Sequence, residues 1–198
     1  FAHAHSMLWW CAMLVAASRV FRRLLPRRAA MAATVLLAVD YASVVPTVWV
    51  ANRNALLAVT FGALAWESLL TWSDTGSRRH LAALVAWVGF GLLAGEYAVA
   101  MAGWLGVFAL ADARGSRRLA ALAAVGGPVA VFLVTWAALG YGARGTTTYV
   151  DPWHDGVRWL TIAAWRMTVL FRELWFGPVE QTAFTRAIGA WAEPLVGV

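Results

Sequence analysis

The segment Val48 to Leu57, VWVANRNALL, sets one arginine between two asparagines and brackets all three with apolar residues. Arg53 stands just ahead of an apolar run long enough to be a helix. The free backbone N–H groups and positive dipole end of such a helix already attract an anion. Asn52 or Asn54 can cap the helix while Arg53 grips a phosphate through paired hydrogen bonds. The simpler alternative pairs Arg53 with Asp40 of the preceding run, because charges near membrane depth find partners. Glu96 sits at a turn on the same side and faces the same cavity. Arg144, in a glycine-rich stretch further on, adds a second cation. Arg53, Asn52, Asn54, Glu96, Arg144 and Asp40 are the candidate substrate-binding residues, and the chemistry they suit is recognition of an anion.

The remaining polar groups read as structural. Glu67 lies inside a run toward its arginine-rich end. His3 and His5 suggest a metal, yet no cysteine or carboxylate is near in sequence to complete a site, so they read as boundary residues. Asp151 and Asp155 flank Pro152-Trp153-His154 in Asp-Pro and Asp-Gly turn dipeptides. The chain holds no Walker loop, Rossmann glycine pattern, HExxH, CxxC or nucleophile elbow. No catalytic residue can be named from this pattern.

The elements that must position these residues follow from composition. Of 198 residues, 62% are hydrophobic and 13% charged, and mean hydropathy is +0.66. A soluble domain carries about 25% charged residues. The deficit points to an all-α, polytopic membrane protein, and 13 tryptophans suit the lipid–water boundary. Net charge is +6 and pI about 10.7. All 16 basic residues are arginine, and they cluster in short loops rather than on one face, which excludes a nucleic-acid reading. Cys11 has no partner, so no internal disulfide forms. The chain opens at Phe1 with no basic leader, and we expect an internal piece of a longer protein.

Six apolar runs, about 6–20, 29–49, 55–72, 81–95, 97–111 and 119–140, predict six spans. Alternate junctions hold ten arginines against two. The positive-inside rule therefore puts the arginine-rich loops 19–28, 78–80 and 114–118 in the cytoplasm. The fourth and fifth runs are short, and one helix over 81–111 competes with a hairpin turning at Gly95-Glu96-Tyr97. The charge rule favours the hairpin, and GLLAG (Gly91 to Gly95) allows its arms to pack closely. Residues 141–157 read as an outer loop. Residues 158–176 read as an amphipathic helix on the outer leaflet, or a seventh span along a cavity, since Arg158, Arg166 and Arg172 oppose central insertion. Residues 177–198 stay unassigned.

Four pieces in order, HAHSMLWW (from His3), VVPTVWVANRNALLAV (from Val44), LLAGEYAVAM (from Leu92) and LGYGARGTTTYVDPWHD (from Leu139), resemble GT-C superfamily membrane glycosyltransferases. The likeness is to the protein-mannosyltransferase-like group and covers about residues 3–178. It implies transfer of a sugar from a polyprenyl-phosphate donor at the outer face of a bacterial inner membrane. Membrane lipids and that donor are then the partners. The family's catalytic acid belongs to a first outer loop that would precede Phe1, so no catalytic residue is carried over. Arg53 and Glu96 match the family's pattern, whereas the lysine often found beside the hairpin glutamate is Gly95 here. The family admits a divalent metal, but no cofactor site is visible in this sequence. A lipid or anion carrier and a non-catalytic membrane subunit remain the alternatives.

Overall fold

The computed structural model describes residues 2–112, 116–141, 150 and 155–176, and among them every regular element is helical. Two units emerge, Phe1–Tyr141 and Gly142–Val198. In the first, α1 (Ala2–Leu24), α2 (Arg27–Val39) and α3 (Tyr41–Val48) are followed by a 3₁₀ turn, Val50–Asn52. Then come α4 (Arg53–Thr75), α5 (Arg78–Ala94), α6 (Tyr97–Asp112) and α7 (Ser116–Ala138).

Local chemistry ends each helix. Pro26 lacks an N–H and forces Leu25 away from helical geometry, which separates α1 from α2. Gly76 closes α4 in the left-handed region at φ 66°, and its N–H reaches the Trp72 carbonyl. Gly140 (φ 70°) stops the chain beyond α7 in the same way. Asp40, extended at ψ 135°, breaks the second apolar run, so the expected single span 29–49 is two helices, α2 and α3, bent by 43°. That break follows from the residues. Asp40 favours the break over continuing the helix, and Pro46 removes a donor inside α3.

Helices α1, α4 and α6 run one way and α2, α5 and α7 return. At one end Arg53 of α4 meets His5 of α1, Gly95 after α5 lies on Asn54, and Glu96 meets Trp136 of α7. At the other end Arg23 of α1 meets Asp74 of α4, and Arg117 of α7 reaches the Ser73 carbonyl. The chain thus turns sharply at Gly95-Glu96, and α5 and α6 form an antiparallel pair rather than one helix.

α4 is the central element. Its Ala58, Ala65, Leu69 and Trp72 pack with Leu84, Val88 and Leu92 of α5 and Ala98, Ala102 and Leu105 of α6, and Ala121, Ala124 and Val125 of α7 complete the same cluster from the far side of α5 and α6. On its other flank Ala63 and Leu70 meet Ala16 and Val20 of α1. Small side chains let the backbones approach: Gly62 lies so close to Met101 that an added methyl would stand 3.0 Å from the Met101 Cβ. Gly91 leaves the same kind of gap, 3.2 Å, toward the Ala98 Cβ. Large apolar side chains such as Leu36, Val39, Leu93, Trp104, Val131 and Val134 remain exposed on the outside, as lipid-facing surface does.

By length and composition, two helices can cross a membrane alone, Arg53–Thr75 and Arg117–Ala138, and a third crossing results if α2 and α3 count as one bent span. The six expected spans are not all met at that standard. α1 carries histidines at its start and arginines at its end, while α5 (17 residues) and α6 (16 residues) fall short of the roughly 20 needed. Among the described residues the chain is all-helical, with two or three helices long and apolar enough to span a bilayer, as in a membrane protein.

In the second unit, α8 (Gly156–Phe176) starts where the sequence predicts a turn. Asp155 is its cap: Oδ1 accepts from the Arg158 N–H at 3.2 Å. Val157, Leu160, Met167 and Leu170 of α8 are exposed. Asp151 and residues 177–198 lie outside the described residues.

Candidate functional site

The start of α4 is fixed from two sides. Arg53 donates from Nε to Ser6 Oγ (3.1 Å) and from Nη1 to His5 Nδ1 (2.7 Å), so α1 orients the guanidinium. Ser6 is fully buried, and a hydroxyl there is tolerated because it is hydrogen-bonded. Trp9 Nε1 lies 3.2 Å from His5 Nε2, so the imidazole meets a donor at each nitrogen. The ring is thereby held at both nitrogens, between Arg53 and Trp9. His5 is therefore a holder of Arg53, where the sequence reading saw only a boundary residue.

Arg53 does not pair with Asp40. Asp40 sits at the α2–α3 break, exposed, beside an apolar depression lined by Leu36, Leu37 and Val39. Asn52 does not cap α4 through its side chain. Asn52 occupies the cap position at φ −99°, ψ 13°, outside the extended geometry that aims a cap at the helix N–H groups. Its Oδ1 instead accepts from the Tyr97 hydroxyl at 3.3 Å. Asn54 Oδ1 accepts from the N–H of Ala55 at 3.1 Å.

Across from α4, the α5–α6 turn brings Glu96 and Tyr97. Gly95 adopts φ 156°, and a methyl group on it would stand 3.0 Å from Asn54 Nδ2. Glycine suits this place, because its backbone takes a φ that other residues rarely adopt and it leaves the asparagine in position over the turn. Trp136 of α7 donates from Nε1 to Glu96 Oε1 at 3.2 Å. Asn54, Gly95, Glu96, Tyr97 and Ala100 line an open cleft of about 650 Å³.

The fold thus brings Asn52, Arg53, Asn54 and Glu96 together and leaves Asp40 apart. Arg144 lies outside the described residues. Ser6, Tyr97 and Trp136 escaped the sequence reading. Ser6 and Tyr97 each adjoin a residue already singled out, but nothing local marks Trp136, whose partner is 40 positions away.

At the opposite end Glu67 pairs with Arg19 at 3.6 Å, in keeping with its structural reading. Arg23 bonds Asp74 and Thr71 Oγ1 (the latter at 2.6 Å), which ties α1 to α4. Among the described residues no three His, Cys, Asp or Glu side chains gather as a metal site.

Comparison with protein families, curated proteins and solved structures finds no match to this chain.

Proposed function

We propose that this chain is the membrane-embedded part of a glycosyltransferase of the GT-C type its sequence resembles, drawing sugar from a polyprenyl-phosphate donor. One observation carries the reading. Arg53, its holders His5 and Ser6, and the Asn54–Glu96–Tyr97 cleft gather at one end of the bundle, opposite the arginine-rich end. In this reading six helical passages cross a bacterial plasma membrane. The arginine-rich turns 19–28, 78–80 and 114–118 face the cytoplasm. The Arg53 end then meets the outer leaflet, at the level where a lipid-linked donor presents its phosphate. Arg53, at the start of α4, is the phosphate-binding group, since the helix dipole adds to its charge there. No residue of this chain is assigned the bond-making step.

A carrier gathers its polar groups near the bilayer midplane. Here the buried hydroxyls along the middle of α4, Thr60 and Ser68, are spent on carbonyls of their own helix, and Ala58, Ala63, Ala65 and Leu69 around them are apolar, which favours the enzyme reading. The test is reconstitution of the protein in proteoliposomes with radiolabelled polyprenyl-phosphate sugars, wild type beside Arg53→Ala. Saturable donor binding should weaken roughly 10-fold or more in the variant, the scale of one hydrogen-bonded charge. Sugar transfer should fall with it. Donor binding equal in both proteins removes Arg53 from the site, and transport of the donor without transfer favours the carrier.

A further inference from the structure

We propose that the cleft beside Arg53 is a sugar-ring subsite, in which Glu96 and Asn54 read neighbouring hydroxyl groups. This rests on the reading above and names the donor part that Arg53 does not hold. Glu96 Oε1 is occupied by the Trp136 indole, while Oε2 has no protein partner among the described residues. Asn54 Oδ1 is occupied by the Ala55 N–H, and its Nδ2 donors have no partner there either. The cleft therefore offers one charged acceptor and one amide donor, each fixed by a bond through its other atom. Adjacent ring hydroxyls need that combination, because each hydroxyl both donates and accepts. Tyr97 supplies an aromatic wall, with its hydroxyl tied back to Asn52 at 3.3 Å. A space of about 650 Å³ lies within the range of small-molecule sites, ample for one hexose. Gly95 keeps the floor open, since any side chain there would press on Asn54.

Arg53 and Asn54 stand in the first turn of α4, Arg53 turned toward α1 and Asn54 toward the α5–α6 turn, so the anion-binding and sugar-binding groups share one helix start. Trp136 is a positioning residue: it holds Glu96 at the cleft wall through Oε1.

The test measures binding of methyl hexosides to the full chain in lipid nanodiscs by saturation-transfer NMR, with glycerol as a flexible polyol control. Glu96→Gln keeps an acceptor for Trp136 and turns the open acceptor into a donor. Asn54→Asp makes the opposite change. Each should weaken hexoside binding about 10-fold or more, while Gly103→Ala, where the added methyl meets nothing within 4 Å, should match wild type. Trp136→Phe should weaken binding less than Glu96→Gln. Wild-type protein that transfers no saturation to hexosides, or that binds glycerol as well, overturns the subsite, as do isosteric variants that bind like wild type. Hexoside binding without any use of lipid donors keeps the subsite and removes the glycosyltransferase reading. Donor transfer unchanged in both isosteric variants does the reverse.

Discussion

Ser6 shows how one buried hydroxyl can decide the orientation of a functional charge. It accepts from Arg53 Nε inside the α1–α4 contact, where water cannot replace it. Ser6→Ala should lower stability by about 1–3 kcal/mol, the scale of a charged donor left without its acceptor, and should lower the melting temperature in detergent. A melting temperature equal to wild type would mean that Arg53 finds another acceptor at no cost. Gly95 is the second decisive residue. Gly95→Ala meets both a φ of 156° and the Asn54 amide, so a loss of about 1–3 kcal/mol is expected on the same melting curve, together with loss of hexoside binding.

Among the elements, α4 matters most, because α1, α5 and α6 all pack extensively on it. Its contact with α6 depends on Gly62, where an added methyl would meet the Met101 Cβ at 3.0 Å and Cε at 2.7 Å. The Cε can swing away, but the Cβ is fixed to the backbone. Gly62→Ala should therefore separate α4 from α6 and destabilise the bundle by about 1–3 kcal/mol, as overpacked cores do. Gly103→Ala on α6 has open space around it and should be neutral or gain up to about 1 kcal/mol from helix propensity. Equal melting temperatures for the two variants would show that α6 is not seated against α4. The sequence marks helix ends well where a proline or glycine writes them, as at Pro26, Gly76 and Gly95. Asp40 and Pro46 mark the end of the core of the second run in the sequence too, but 29–49 still reads as one span, because the residues on both sides are apolar.

For the molecule as a whole, the two ends differ in charge. Arg22, Arg23, Arg27, Arg28, Arg78, Arg79 and Arg117 gather at one end, and Arg53 with its amides and Glu96 at the other. Under the proposed topology, Ser77→Cys in a Cys11→Ser background should react with an impermeant maleimide only after permeabilisation of cells. Tyr141→Cys, exposed at the far end of α7, should react in intact cells. The opposite pattern reverses the orientation. Labelling of both from outside removes the odd number of crossings that the proposal sets between them.

Composition alone determined that this chain is helical and belongs in a membrane, because a 198-residue chain with 13% charged residues has too little polar surface to face water. Loop arginines, read in order, anticipated which turns share an end. Arg53 and Glu96 stood out because a charge amid apolar residues is costly unless it has a partner. Which partner it takes could not be read from the sequence. That Arg53 takes His5 and Ser6 rather than Asp40, and that Glu96 takes Trp136, depends on which helices α4 and the α5–α6 turn lie against. Those neighbours follow from small-residue packing at Gly62 and Gly91, set by the fit of surfaces distant in sequence. Only the tertiary structure decides such a fit.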